Sequence, residues 1–366
     1  HSTPNANGGA LATAALGGAT GTGRTSTTAG GNGGQPSTNS NSAGKTATGG
    51  SIAQSSTVAQ AGSSSVSRGG SSSSSSTIGS SGSSSGGVSN VCLDFPAPTS
   101  VGTMDTSAGP SGMVASRSNP GVLYAQLDTG GPATVYALTT TGKSLGEYTL
   151  TGAINTDWED IAVGPGPGAG SYIYIGDIGD NAARTGGTTR KEIQVYRVSE
   201  PKVTTTQTAT TQSLAGAEVL RFTYPDTAHD AETLIVDPVS GDILIVTKET
   251  DGNSSIFRAP QNTPVDTPSA LEKLGTVKIG ASGQAAMASG GDASPNGDRF
   301  IVRSYTAILI FSRANTLAAT FAGTPKSIAF ATEPQGEGVT FSADGRSIFA
   351  AGETVKTLYQ SQATCP

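Results

Sequence analysis

The chain has 366 residues, of which 21 are Lys or Arg and 27 are Asp or Glu, and it contains only two His and two Cys. All acidic and aromatic residues follow position 90, and residues 1–90 carry only three charges, all of them basic. The remainder therefore has 18 basic and 27 acidic residues, a net charge of −9 that argues against nucleic-acid backbones as partners.

Residues 1–90 form a tail of Ser, Gly, Thr, Ala and Asn. Such a composition has too little apolar surface to offset the entropy of ordering, so no isolated domain is expected there. The dense Ser and Thr residues make O-glycosylation of the tail an expectation. We therefore interpret the tail as a stalk or assembly segment that contacts copies of itself.

Residues 91–366 form the head, which is long enough for one large all-β domain. The two cysteines, Cys92 and Cys365, lie at its two ends and predict a disulfide that closes it. A structural disulfide indicates an oxidising compartment, so we expect a secreted or cell-surface protein. No apolar run of membrane-spanning length is present. Because the chain begins at His1 without Met, removal of a signal peptide is also expected.

Five repeated units are visible in the head, each with short apolar strands separated by turns rich in Gly, Pro, Asp and Asn. The first unit contains Met113, VLYAQLD and ATVYAL, and the second contains WEDIAV, YIYIGD and IQVYRV. The third contains AETLIV, ILIVTKE and SIFRAP, and the fourth contains SPNGD, RFIVRSY and AILIFSR. The fifth contains EGVTF, SIFAAGE and TLYQS. Fourth strands are predicted at 144–150, 219–224, 274–279 and 326–331. Their alternation and their recurrence at about fifty residues predict antiparallel four-stranded blades of a β-propeller.

The fifth unit lacks a fourth strand of its own, and VCLDF at 91–95 is predicted to complete it. Five blades is the resulting count. Six blades remain open, because residues 200–217 are long enough to contain irregular strands. Two unrelated β-sandwiches are the structural alternative.

The motifs DWEDIAVGP, YIYIGDIGDN, VYRVSEP, DAETLIVDPVSGDILIVTK, GGDASPNGDRFIVRSY and PQGEGVTFSADGRSIF resemble those of a group of secreted bacterial β-propeller proteins. The resemblance covers the head and implies fold and secretion more than any reaction. More distantly, the head is similar to propellers described as esterase-like phytases and SdiA-regulated proteins.

Three acidic residues, Glu159, Glu232 and Glu337, begin the innermost strand of three units. Innermost strands line the channel of a propeller, so these carboxylates are expected to converge at one end, where Ca²⁺ would relieve their repulsion. Asp160 is the fourth candidate ligand. The alternative is that each Glu bonds backbone amides of the neighbouring blade and holds the ring together.

A second acidic group comprises Asp177 and Asp180 within the sequence GDIGDN. Short oxygen-bearing side chains separated by Gly suit a hard cation such as Ca²⁺. They equally suit a turn capped by Asx side chains. The spacing is not that of an EF-hand.

Nucleophilic catalysis is difficult to build from this sequence, which favours a non-enzymatic role. No GxSxG elbow stands between a strand and a helix, and His229 has no identifiable nucleophile beside it in sequence. A copper site at His1 is not expected, because such a site needs further ligands on a rigid domain and no domain is expected at residues 1–90. Asn253 starts an Asn-Ser-Ser sequence, a candidate N-glycosylation site in a turn.

The first functional hypothesis is therefore a secreted structural subunit of an extracellular filament, appendage or matrix, assembled through the tail and displaying the propeller. The alternatives are a Ca²⁺-dependent hydrolase resembling a phosphoesterase at the channel, and a tethered module that binds carbohydrate or protein on a cell surface.

Overall fold

A computed structural model describes residues 91–365, which form an almost entirely β domain. Apart from two short helices, α1 (Asn181–Thr185) and α2 (Leu317–Ala322), and one 3-10 turn at Gly283–Ala286, the regular structure is strand. In chain order the strands are β1 (Thr99–Thr103), β2 (Gly112–Ala115), β3 (Val122–Gln126), β4 (Thr134–Thr139), β5 (Ser144–Leu150), β6 (Trp158–Pro165), β7 (Ser171–Asp177), β8 (Ile193–Ser199), β9 (Thr210–Leu214), β10 (Glu218–Thr223), β11 (Ala231–Val236), β12 (Ile243–Thr247), β13 (Asn253–Ala259), β14 (Pro268–Ala270), β15 (Glu272–Lys278), β16 (Ala288–Ala293), β17 (Arg299–Ser304), β18 (Ala307–Ser312), β19 (Lys326–Ile328), β20 (Gly336–Phe341), β21 (Ser347–Gly352) and β22 (Thr357–Gln362).

The strands form five sheets, so the predicted five-bladed propeller is confirmed. Blade 1 has the order β2-β3-β4-β5-β9, blade 2 has β6-β7-β8-β10-β14, blade 3 has β11-β12-β13-β15, blade 4 has β16-β17-β18-β19, and blade 5 has β20-β21-β22-β1. The four main strands of every blade pair antiparallel to one another, and β2, β6, β11, β16 and β20 are innermost.

The ring is closed by β1, whose residues pair antiparallel with β22 as the outermost strand of blade 5. The prediction that residues 91–95 supply this strand is therefore wrong. Instead Phe95 is buried with its ring centroid 6.4 Å from that of Phe341, and the segment contributes to the core as a non-strand connection. The predicted Cys92–Cys365 disulfide is present and joins residues separated by 273 positions.

Residues 200–217, which left a sixth blade open, supply a fifth strand to blade 1. Strand β9 pairs parallel with β5, and β14 makes a similar parallel addition to β10 in blade 2. Residues 91–365 therefore contain five blades, and the extra strands cover edges that would otherwise expose unpaired backbone groups.

Each neighbouring pair of blades is joined by its own hydrophobic cluster. Between blades 1 and 2 the single Trp, Trp158, is fully buried and its ring lies 5.9 Å from that of Tyr196. The faces of adjacent blades bury Val, Ile, Leu and aromatic side chains against each other. The ends of the innermost strands lie outside these faces and carry small and polar residues. These polar ends create the site described below.

Neither helix of the described domain has the length and apolar character needed to cross a bilayer. The predicted assembly segment at residues 1–90 and the predicted glycosylation of its Ser and Thr residues lie outside the described residues.

Candidate metal site at the channel mouth

Three glutamates occupy β-bulges of the innermost strands. The pairing register of β6 skips Glu159, that of β11 skips Glu232, and that of β20 skips Glu337. A bulge leaves one residue without a cross-strand partner and re-aims its side chain. All three residues are 5% exposed. They lie where the innermost strands begin, at the end of the channel that we call the channel mouth.

Lys248 lies among these glutamates, at the end of the second strand of blade 3. Its ammonium group forms an ion pair with Glu232 Oε1, and it lies 5.3 Å from the ring centroid of Tyr305. The Tyr305 hydroxyl donates a 3.3 Å hydrogen bond to Glu337 Oε1. Two of the three predicted glutamate ligands, Glu232 and Glu337, are therefore partnered by protein groups, although Glu232 Oε2 is buried without a hydrogen-bond partner among the described residues.

The third glutamate, Glu159, belongs to a different group. Carboxylate oxygens of Asp128, Asp157 and Glu159, one from each residue, lie within 4.8 Å of one another, and we call these residues the carboxylate trio. Ca²⁺ binds oxygens at about 2.4 Å, so two ligands on opposite sides of one ion are about 4.8 Å apart. The trio is thus compact enough to share a single ion.

Hydrogen bonds between side chains and the backbone hold the trio together. The side-chain amide of Asn155 donates to the carbonyl oxygens of Leu127 (3.4 Å) and Asp128 (3.1 Å), which brings the loop after β3 against the loop before β6. The backbone N–H groups of Thr156 and Asp157 donate to the Asp177 carboxylate at 3.3 and 3.2 Å. These bonds fix the two loops that carry the trio before any ligand arrives.

Gly179 supplies the space beside the trio. A Cβ at this position would lie 2.2 Å from Glu159 Oε1 and 2.5 Å from Asp157 Oδ2, well inside contact distance. Any larger residue would displace one or both carboxylates. The absence of a side chain at position 179 is therefore a condition for the observed oxygen arrangement.

Within residues 91–365, no donor forms a hydrogen bond with the carboxylate of Glu159, although the residue is almost completely buried. Burial raises its pKa well above the usual range, and the carboxylates of Asp128 and Asp157 raise it further. Burial, followed by the charge of Asp128, likewise raises the pKa of Asp157 to about 6. Ionisation of the whole trio is therefore costly unless a bound cation compensates the charge, and Lys248 offsets only part of that cost at Glu159.

Carboxyl groups with raised pKa values also lie across the mouth, in blade 5. Burial and the neighbouring Glu353 raise the pKa of Glu337 to about 8, and burial followed by Asp128 raises that of Glu353. Lys248 lowers both values but does not balance them.

Asp160, also a predicted ligand, has a structural role. Its Oδ2 accepts backbone N–H groups from Leu234 of blade 3 (2.8 Å) and Gly291 of blade 4 (3.2 Å), and its Oδ1 accepts from Ile161 (2.8 Å). The sequence analysis offered, as an alternative to metal binding, that the glutamates bond backbone amides of another blade. In the structure Asp160 makes such bonds. Asp292 makes the equivalent link from blade 4 to the Phe341 N–H of blade 5, at 2.9 Å.

The GDIGDN loop is also occupied by protein contacts. Asp177 pairs with Arg190 at 2.7 Å, in addition to the amides described above. Asp180 accepts the Arg190 N–H at 2.7 Å, and its own N–H donates to Asp230, which pairs with Arg184. Both carboxylates already have donors, so the loop shapes the site next to it.

His229 connects the loop that contains Asp226 with the loop that contains Glu249. Its Nε2 lies 3.0 Å from Asp226 Oδ1 and its Nδ1 3.4 Å from Glu249 Oε1, while the rings of Tyr224 and Phe257 pack against it. Hydrogen bonding to Glu249 raises the pKa of His229 above 6.5. These contacts provide no nucleophile. Asn253, the candidate glycosylation site, is exposed at the start of β13.

Sequence reasoning missed Asp128, Lys248, Tyr305 and Glu353, and it did not treat Asp157 as a ligand. Lys248, Tyr305 and Glu353 share one position, the residue directly after the second strand of a blade, and Asp128 lies one residue further on. Aligning the five repeats at that point would have shown a polar side chain in three of them, with Leu127 and Ile178 in the other two. The three polar side chains are the signal that second strands also contribute to the mouth.

No family model and no curated protein matches this chain. Among solved structures, Raptor from Chaetomium thermophilum has 10% sequence identity and a TM-score of 0.39 over 74% of this chain and 30% of that one. Hydrazine synthase from Kuenenia stuttgartiensis has 11% identity and a TM-score of 0.39 over 71% of this chain and 97% of that one. The chain thus corresponds to less than a third of the Raptor chain. These similarities are too weak to bear on function.

Proposed function

We propose that this protein is an extracellular propeller that binds a divalent cation, Ca²⁺ in particular, at the carboxylate trio and uses it to hold a ligand at the channel mouth. The observation that carries the proposal is the buried Glu159 carboxylate, which has no hydrogen-bond donor within residues 91–365 and meets two further carboxylates. The disulfide supports an extracellular location.

The type of cation follows from the ligand atoms. All three side chains offer carboxylate oxygens, which hard cations prefer, and neither His nor Cys contributes to the trio. Lys248 forms its ion pair with Glu232, and although its charge lowers the pKa of Glu159, no ion pair joins it to the trio among the described residues. A divalent ion would therefore bind the trio without competing for an existing ion pair.

Isothermal titration calorimetry of the full chain, freed of metal with a chelator, tests this proposal. Ca²⁺ is expected to bind at one site with a dissociation constant between about 10⁻⁶ and 10⁻³ M. Asp157→Asn should weaken binding at least tenfold, whereas Glu147→Gln, at an exposed carboxylate on the outer strand β5, should leave it unchanged. Absence of saturable heat, or equal binding by both variants, would refute the proposal.

The composition of residues 1–90 favours a second role, that of a structural subunit in an extracellular filament or matrix. In this proposal the tail mediates assembly and the propeller is displayed outward. Negative-stain electron microscopy of the full chain beside a chain starting at Val91 tests it. Filaments formed only by the full chain support the role, and dispersed particles from both contradict it.

The hydrolase alternative would use the same ion to activate water. Hydrolysis of p-nitrophenyl phosphate that requires Ca²⁺ and is lost in Asp157→Asn would favour it over a role limited to binding.

A further inference from the structure

A cleft of about 460 Å³ opens beside the carboxylate trio, between blades 1 and 5. One wall is the loop after β3, from Leu127 to Gly131, and the other includes Gln335 and the turn at Glu353 and Thr354. Asp128 belongs both to this wall and to the trio. A ligand in the cleft would therefore lie next to an ion bound by the trio. The volume falls within the range of small-molecule sites.

The lining of the cleft combines apolar surface with several polar side chains and contains no basic side chain. Its side chains include two carboxylates and the hydroxyl and amide groups of Thr129, Thr354 and Gln335, whereas Lys, Arg, His and aromatic residues do not contribute. Nothing lies within 4 Å of a Cβ built on Gly130, and only a carbonyl at 3.9 Å lies near one built on Gly131. The backbone of this wall is open to a ligand.

Charge decides between classes of ligand. Six carboxyl groups surround the mouth (Asp128, Asp157, Glu159, Glu232, Glu337 and Glu353), and Lys248 is paired with Glu232. Apart from an ion at the trio, the mouth therefore offers phosphate and carboxylate ligands no unpaired basic side chain among the described residues. A neutral ligand needs no such partner, and its hydroxyl groups donate to the carboxyl groups of the lining.

We propose that the cleft binds a neutral carbohydrate, with adjacent hydroxyl oxygens of one sugar completing the coordination of the ion at the trio. This inference rests on the proposed function, since the ion is its anchor. Hydroxyl groups suit both partners, because their oxygen atoms bind Ca²⁺ and their protons are donated to Asp128 and Glu353. A basic peptide would also complement the negative charge, but it would compete with the ion for the same carboxylates.

Saturation-transfer NMR on the full chain tests the inference with methyl glycosides of mannose, galactose, fucose and glucose, and with inorganic phosphate and tetralysine as charged probes. At least one glycoside is expected to show Ca²⁺-dependent transfer that is abolished by chelator and by Asp157→Asn.

A cleft variant separates this inference from the proposed function. Gly131→Leu fills the cleft without replacing a trio residue, so it should weaken glycoside binding at least tenfold and leave Ca²⁺ binding unchanged. Ala270→Leu, at an exposed position on β14, is the matched control and should change neither.

Each outcome has a distinct meaning. Ca²⁺ binding without transfer to any glycoside would overturn the carbohydrate inference and leave the proposed function standing. Saturation transfer only to phosphate or tetralysine would also overturn the carbohydrate inference. If the native chain does not bind Ca²⁺, both the carbohydrate inference and the proposed function are overturned.

Discussion

Asp160→Ala should strongly destabilise the propeller, because this one carboxylate connects three blades. The residue is 1% exposed, and its carboxylate accepts N–H groups from Leu234 of blade 3 and Gly291 of blade 4, as well as from Ile161. Removing it leaves two inter-blade N–H groups without an acceptor. Each such buried group costs about 1–3 kcal/mol, so the free energy of unfolding should fall by about 2–6 kcal/mol. That loss is a large part of the stability of a typical domain.

Urea unfolding followed by fluorescence measures this loss, since Trp158 is the only Trp and is buried beside Asp160. Asp160→Asn retains one oxygen acceptor and should fall between Asp160→Ala and the native protein. Asp105→Ala, at an exposed carboxylate, is the control and should change stability by less than about 0.5 kcal/mol. If Asp160→Ala behaves like this control, the role assigned to Asp160 is wrong.

Three further predictions concern the trio, a pH-dependent contact and the disulfide. Gly179→Ala should weaken Ca²⁺ binding at least tenfold in calorimetry, because its Cβ would displace the Glu159 carboxylate; unchanged affinity would show that the trio is not the site. The raised pKa of His229 means that its pairs with Asp226 and Glu249 contribute fully below about pH 6.5 and that this contribution is lost as pH rises through the folded-state pKa. His229→Gln should therefore destabilise the protein by about 1 kcal/mol more at pH 5.5 than at pH 8.5 in urea unfolding, and an equal effect at both would contradict the assignment. Replacing both cysteines by serine opens a crosslink across 273 residues and should cost about 3–5 kcal/mol in the same assay, whereas a loss below 1 kcal/mol would show that the crosslink contributes little.

The sequence predicted the blades well because their strands repeat a simple pattern. Turn residues and alternating apolar residues marked the second and third strands of every blade. The closing strand was misplaced because 91–95 is more apolar than Thr99–Thr103, yet pairing with β22 depends on backbone position and not on hydrophobicity. Strand β16, with the sequence ASGGDA, was not singled out, because its small residues serve close packing at the ring centre.

The candidate site was predicted only in part, because it depends on tertiary geometry. The acidic character of the innermost strands could be read from the sequence. The bulge in β6, which gives Glu159 and Asp160 different orientations, could not. Lys248 and Asp128 come from other strands and other blades, and only the closed ring brings them to the mouth. The sequence analysis expected Ca²⁺ among the three glutamates. Part of that positive charge comes from the ammonium group of Lys248, which pairs with Glu232.

Terbium luminescence of the full chain tests the central claim, a hard-cation site at the carboxylate trio, most directly. Trp158 lies between Asp157 and Glu159 in sequence, so an ion at the trio is close enough to be sensitised by excitation of this single Trp. We expect saturable emission at one ion per chain that is displaced by Ca²⁺, lost in Asp157→Asn and retained in Glu147→Gln. Emission that does not saturate, or that persists in Asp157→Asn, would contradict it.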